Sequence, residues 1–438
     1  PISLTYWGTE RHEEAINIII AEYQKKHPHV EIIYTRFDEN TYQDELLNAL
    51  AEDKGPDIFS LPAELLKPYR NKVAPLQKEI TVSGLDENDV PRIGPKKTAS
   101  LKRVRSDYFD MIYKRVVMDG EQGFTEQGAP LPIEEFVFGL PLSVDTLALY
   151  YNEDLTSSAG FESPPRTWTQ FVEQIKNLTN KSDAAANYRV FQSGAAIGTA
   201  DNINYFEDIL AALMMQNGAI MFDSTGTTVT FQQIPPRGTF PRPPAAEALE
   251  FYASFGSPQT TNYTWNDRLP NSLEAFTQGK TAFYFGYQDD YDKIKEKSPK
   301  LNFKVSNLPQ LAGRKMVHII KYRVQTVSAK SAHIDQAWDF LQFAARIENQ
   351  QKYLDSFKRI TPIRALLVEQ QNNPDMMVFA SQVLQSKDWY PGYDYEKAVE
   401  AFTDLVNGML TGKYNNTEQG LQESSLEVTN TLYEEPNP

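Results

Sequence analysis

Hydrophobic positions in the first sixty residues follow two periods in turn. Ile2–Trp7 is a short apolar run that predicts a buried strand. Over Glu10–His27 the residues Ala15, Ile16, Ile19 and Tyr23 recur at helical spacing, and the helix is expected to stop at His27-Pro28 because the residue before proline resists helix. Val30–Phe37 predicts the next strand and Thr41–Glu52 a second helix, with Tyr42, Leu46, Leu47 and Leu50 at helical spacing. Gly55-Pro56 breaks the chain, and Asp57–Leu61 predicts a third strand. That order implies parallel strands with right-handed crossovers. Ligands of such open sheets sit at the carboxyl ends of the strands. Trp7-Gly8-Thr9-Glu10 and Ser60-Leu61-Pro62-Ala63-Glu64 both fall at those ends.

Further along, Gly139–Asn152 is too long and apolar for an edge strand and reads as a strand crossing from one lobe into another. Thr167 is placed to cap a helix opening at Trp168. Helices are expected over Asp201–Gln216 and Ala245–Phe255, and strands over Lys280–Tyr287, Leu301–Leu308 and Arg323–Ala329, the last placed to cross back. Beyond Ser331 the pattern is nearly all helix to Tyr433, and no internal repeat occurs. With 438 residues, the chain is too long for one core and suits two α/β lobes.

Composition narrows the partners. Hydrophobic residues make up 41% and charged residues 23%, ordinary for a globular protein, and no apolar run reaches the roughly 18 residues of a membrane span. Forty-three Lys and Arg against 58 Asp and Glu give a net charge of −15, which argues against nucleic acid. One stretch dissents: Arg92, Lys96, Lys97, Lys102, Arg103, Arg105, Lys114 and Arg115. A solvated basic face is the plainer reading, and contact with an anionic membrane or a partner protein the sharper one. The absence of cysteine fits an exposed compartment. The chain opens at Pro1-Ile2-Ser3, so a mature or trimmed chain is expected, with any lipid anchor outside this sequence.

Catalytic and metal signatures are weak. None of the five histidines, His12, His27, His29, His318 and His333, forms an H-E-x-x-H pair. Gln278-Gly279-Lys280-Thr281 imitates the tail of a phosphate loop, but Glu274 stands where its first glycine belongs. Gln288-Asp289-Asp290-Tyr291-Asp292 lacks the glycine and terminal glutamate of an EF-hand and reads better as a charged helix start. Chance carboxylate pairs leave glycoside hydrolysis open. No catalytic residue, metal or cofactor is assigned.

Aromatic placement says more. Trp168 and Trp338 lie on amphipathic helices and read as core. Trp7, Trp265 and Trp389 lie instead at strand ends or in turn-rich loops, in Trp7-Gly8-Thr9-Glu10, Tyr263-Thr264-Trp265-Asn266-Asp267 and Trp389-Tyr390-Pro391-Gly392-Tyr393. Sugars have apolar C–H faces and hydroxyl rims, so a sugar site needs flat aromatics beside carboxylates and amides. Each of these tryptophans could equally be interface packing.

The chain resembles the family 1 extracellular solute-binding proteins of bacterial ABC importers, the maltose-binding-protein-like group. The likeness is densest in Gly55-Pro56-Asp57-Ile58-Phe59, in Gly139–Asn152 and in Pro165-Arg166-Thr167-Trp168. It continues through Thr199-Ala200-Asp201-Asn202, Gln216-Asn217-Gly218 and Ala337-Trp338-Asp339-Phe340-Leu341. The resemblance implies a two-lobed periplasmic-binding-protein-like α/β fold of type II, each lobe a mixed sheet flanked by helices, with a ligand cleft and a multi-strand hinge that closes on ligand. Passages are expected near Leu142–Asp145, Val324–Val327 and Arg359–Pro362. Residues 1–143 and 324–358 would then form the N-terminal lobe, and 144–323 and 359–438 the C-terminal lobe.

The site residues carried over by resemblance are Trp7 and Glu10 after the first strand, Glu64 after the third, and Asp145 on the hinge strand. In the second lobe they are Asp201, Asn202, Trp265, Asn266, Tyr287, Trp389 and Tyr390. The basic insert from about Asp86 to Glu135 has no obvious counterpart, and Lys321-Tyr322-Arg323 stands where many relatives have small residues. An Arg323 facing the ligand would favour negative charge on it. The implied role is a monomeric, extracellular or periplasmic carbohydrate receptor serving ABC importer membrane subunits. A receptor for a peptide, polyamine or polyol phosphate, a glycan-acting enzyme and a surface adhesion protein stay open.

Overall fold

The alternation at the start of the chain builds one half of a sheet. In the computed structural model, which describes residues 1–434 apart from 12, 86–89, 122–129 and 184–187, strands Ile2–Gly8, Val30–Arg36 and Ile58–Pro62 run parallel. Helices Glu13–Lys26 and Tyr42–Ala51 join them, bringing Ile16, Ile19, Tyr23 and Leu46 inside. The first helix starts three residues later than its apolar pattern suggests and ends at Lys26, just before His27-Pro28. Ile2 is level with Val30, Gly8 with Arg36, and Trp7 with Phe59. Strand Arg323–Val327 arrives from far along the chain, antiparallel to Ile58–Pro62, and Leu140–Pro141 forms the edge beyond it. Helix Ile334–Ala344 buries Trp338, whose indole N–H donates to the Ala74 carbonyl at 3.0 Å.

These pieces form one compact unit, Pro1–Val144 with Lys321–Ala380; the second is Asp145–Ile320 with Ser381–Pro438. The chain therefore passes between units after Val144, Ile320 and Ala380, while Val324–Val327 and Arg359–Pro362 lie inside the first unit. The apolar run Gly139–Asn152 is three short strands, Leu140–Pro141, Asp145–Thr146 and Ala148–Asn152, and the first passage falls between them.

The described part of the basic segment is a hairpin of Glu79–Leu85 and Pro91–Lys97, followed by helices Leu101–Asp107 and Asp110–Val116. It lies against helix Ile334–Ala344. The Thr81 N–H donates to Asp335 Oδ2 at 2.8 Å, and the Lys96 ammonium pairs with Asp339, which is fully buried. Arg103 pairs with Asp107 at 3.3 Å, whereas Lys97, Lys102, Arg105 and Lys114 are exposed.

In the second unit the main sheet has the order Asn180–Lys181, Val190–Ala195, Thr281–Gly286, Ala148–Asn152, Phe303–Asn307, and only its second and third strands are mutually parallel. Ser386–Lys387, His318–Lys321 and Asp145–Thr146 make a smaller sheet. Trp168, Phe171, Leu210, Tyr252, Phe283 and Leu405 share one core. Thr167 caps helix Trp168–Leu178 through a reciprocal box with Gln170. Gly279, at φ +68°, turns helix Ser272–Thr277 into strand Thr281–Gly286, and Gln288 opens helix Gln288–Lys297. Among the described residues no helix is long and apolar enough to cross a membrane.

Candidate functional site

At the carboxyl ends of the first unit's parallel strands, side chains that can stack and side chains that can hydrogen-bond come together. Gly8 makes this possible: a Cβ there would stand 2.6 Å from the Tyr34 hydroxyl, so only glycine lets that phenol reach across. The hydroxyl accepts the Glu10 N–H at 3.2 Å and so fixes the turn that presents the Glu10 carboxylate. Trp7 is half-buried, with its ring 4.5 Å from that of Phe37 at 43°. Tyr42 is buried behind them, and its hydroxyl donates to the Trp7 carbonyl at 3.1 Å and accepts the Ser60 N–H at 3.2 Å. That one phenol ties together the ends of two strands and the start of a helix.

Arg323 opens the antiparallel strand beside them, level with Pro62. Its Nε donates to Ser60 Oγ at 2.9 Å and its Nη2 to the Ser60 carbonyl at 3.1 Å, while the guanidinium carbon sits 5.3 Å from the Tyr42 ring centre. Tyr6, beneath, donates to Gln325 Oε1 at 2.7 Å. The Tyr6, Tyr34 and Tyr353 hydroxyls are all pushed up in pKa, first by burial and then by neighbouring charge, with Glu10 acting on all three. These phenols stay neutral donors at any physiological pH. Glu64 is half-buried in the turn Ala63–Leu65 that follows the third strand. The structure thus brings Trp7, Glu10 and Arg323 together, with Glu64 just past the end of the third strand. It adds Tyr34, Phe37, Tyr42 and Ser60, of which the sequence singled out only Ser60 for its place at a strand end.

The second unit treats its expected residues differently. Asp145 is half-buried, and its carboxylate accepts the Gln288 N–H at 2.7 Å and the Asp289 N–H at 3.4 Å, closing the positive end of helix Gln288–Lys297. Next to it, Tyr287 donates to Asp208 Oδ2 at 2.8 Å, and the Trp389 indole N–H donates to Oδ1 of the same buried carboxylate at 2.9 Å. Trp389 lies flat on Phe402, with ring centres 5.1 Å apart, so one face is used inside the core. Tyr205, half-buried and in the left-handed region at φ +60°, sets its ring edge-on to Tyr287 at 4.8 Å.

Four of the expected residues are engaged by partners inside the second unit. Trp265 is fully buried, and its indole N–H is held by Asn202 Oδ1 at 3.0 Å. Asn202 also accepts from Thr199 and donates to the carbonyls of Asn266 and Leu269, so its four hydrogen-bonding positions are all engaged. Asn266 is likewise engaged, donating to the Tyr263 hydroxyl and accepting the Arg268 N–H. Tyr390 is buried with its hydroxyl on Thr431. The cause is the same in each case: a polar or aromatic side chain in a turn points inward when hydrogen-bond partners wait there. Asp201 is exposed and accepts from the Asn407 amide at 3.3 Å. Among the described residues no group of three or more His, Cys, Asp or Glu is placed to hold a metal ion.

The sequence profile of the bacterial extracellular solute-binding proteins matches residues 19–378. A curated binding protein of Brucella abortus is 24% identical over 295 residues, 65% of this chain, and the chain spans only 66% of that relative's length. An ABC transporter solute-binding protein of Thermotoga lettingae, bound with α-D-tagatose, superposes with a TM-score of 0.69 at 16% identity over 99% of this chain and 100% of that one. An ABC substrate-binding protein of Listeria monocytogenes in complex with cycloalternan gives 0.69 at 16% identity, covering 98% of both chains. At such identity the likeness speaks for the fold.

Proposed function

Because the chain belongs to the bacterial extracellular solute-binding proteins, we propose that it is a receptor that captures a carbohydrate outside the cell and passes it to the membrane subunits of an ABC importer. The observation that carries the sugar is the half-buried Trp7–Phe37 pair set at strand ends beside Glu10, Tyr34 and Arg323. The aromatic surface matches the apolar face of a pyranose, and the surrounding carboxylate and N–H donors match its hydroxyl rim. Sugars bound by structural relatives, tagatose and cycloalternan, support the same class. The receptor holds its ligand without covalent chemistry and works as a monomer.

Thermal-shift screening against mono- and oligosaccharides, followed by calorimetric titration, tests the reading. A ligand present at about a hundred times its Kd adds about 2.7 kcal/mol of stability. Trp7→Ala should weaken the sugar that binds by at least about tenfold, since it removes the stacking surface. A panel in which no carbohydrate raises the melting temperature would sink the proposal.

A further inference from the structure

Arg323 differs from Arg242 and Arg364 in what surrounds it. Arg242, in the second unit, sits between Glu250 at 2.6 Å and Glu418 at 2.8 Å. Arg364 pairs with Asp110 at 2.7 Å. Arg323 is half-buried and, among the described residues, pairs with no carboxylate, in a chain with fifteen more acidic than basic side chains. Its plane is nevertheless fixed. Ser60 takes Nε and one Nη2 hydrogen, and the Tyr42 ring supports the group. Tyr42 is itself held by Trp7 and Ser60. The remaining end of the fork, Nη1 with the second Nη2 hydrogen, has no carboxylate.

A partly desolvated cation without a counter-charge is costly to hold, and a fixed guanidinium is shaped to take two oxygens of one anionic group. From this geometry we infer that the first unit's strand-end site recognises a sugar bearing an anionic substituent, with Arg323 as the residue that reads the charge. The inference rests on the sugar reading above and sharpens it. Glu10 does not contradict it: its N–H is fixed by Tyr34 and its charge falls on the phenols Tyr6, Tyr34 and Tyr353, while Arg323 forms no ion pair with it. A carboxylate, as in a uronic acid, and a sulfate ester share this chemistry.

The test is calorimetric titration of the intact protein with three sets of probes: di- and trigalacturonate, O-sulfated disaccharides, and neutral disaccharides of matching linkage. The expected result is that one anionic set binds more tightly than its neutral counterpart by about tenfold to a hundredfold, the range of a charge-assisted hydrogen-bond pair, with the gap narrowing at high salt. Whichever anionic set wins identifies the substituent. Arg323→Gln should erase that gap by weakening the anionic probe about tenfold to a hundredfold and its neutral counterpart less, and Arg323→Lys should retain part of it. If Arg323→Gln does not fold, the comparison of charged and neutral probes on the unaltered protein still decides. Neutral sugars that bind as tightly as acidic ones, or a loss in Arg323→Gln that is equal for both, overturn the inference and leave the sugar reading standing. Failure of every sugar, charged or neutral, removes the sugar reading itself and this inference with it.

Discussion

Asn202 and Trp7 show how the same sequence signal leads to opposite fates. Both are expected at the ligand from the family resemblance, yet Asn202 turns its whole amide inward to hold Thr199, Trp265, Asn266 and Leu269. Replacing it by alanine strands the Trp265 N–H and two loop carbonyls, so Asn202→Ala should cost about 2–3 kcal/mol, seen as a melting temperature lower by several degrees. An unchanged melting temperature with weakened ligand would return Asn202 to the binding site. The sequence could not separate these cases, because whether a turn aromatic faces water or core is set by partners such as Thr199 and Asp208 that lie near or far in the chain. Phe37 was recoverable. With Trp7 level with Thr35 in a parallel pair, the next outward position on the second strand is Phe37, at the same strand end.

At the scale of elements, the opening strands and helices were legible because period, proline stop and strand order agree. The run Gly139–Asn152 was not, because an apolar stretch that changes units looks the same as one that stays in a single sheet. The basic insert was also only half legible. Its hairpin is pinned by Lys96 to Asp339, which also accepts the Tyr23 hydroxyl at 2.9 Å and lies 3.5 Å from His27. Burial lowers the His27 pKa; Asp339 pulls it up and Lys96 pulls it down. Lys96→Ala should therefore raise the His27 pKa, read by NMR titration, and destabilise the protein by about 1–3 kcal/mol, less than for a fully buried pair because Lys96 is partly exposed. A fall in the His27 pKa would show that Lys96 does not act there.

His318, in strand His318–Lys321, gives a sharper pH dependence. Burial lowers its pKa from 6.5 to about 4, opposed by the hydrogen bond that the imidazole donates to Gln382. Its folded value lies below its unfolded one, so the unfolded chain takes up the proton first. The associated stability is complete above about pH 6.5 and is lost as pH falls toward 4, by roughly 3 kcal/mol. Urea unfolding across that range should show the loss, and His318→Gln should flatten it. Equal slopes in both proteins would mean that other groups carry the acid sensitivity.

Each unit is assembled from distant stretches, and nothing in composition marks where the chain changes sides. Gln325 is level with Ser60, and Arg323 with Pro62, across more than 260 residues of chain. Sheets closed by such long-range pairs depend on the returning strand, since Ile58–Pro62 otherwise keeps one unpaired edge and Phe59 and Leu61 lose their cover. A chain ending at Ile320 lacks Arg323–Val327 and the helix that buries Trp338, so its first unit should not fold. A chain ending at Ala380 has every segment of the first unit but lacks helices Tyr395–Thr411 and Thr417–Asn430, which supply Phe402, Leu405 and Leu421 to the second unit's core. Hydrogen exchange should therefore protect Ile2–Gly8 and Ile58–Pro62 in the longer fragment and leave them unprotected in the shorter one. Comparable protection in both would mean that the first three strands and their helices are stable without the return strand. The proposed binding residues Trp7 and Glu10 would then be held without Arg323, and the strand-end site would not need the chain to come back.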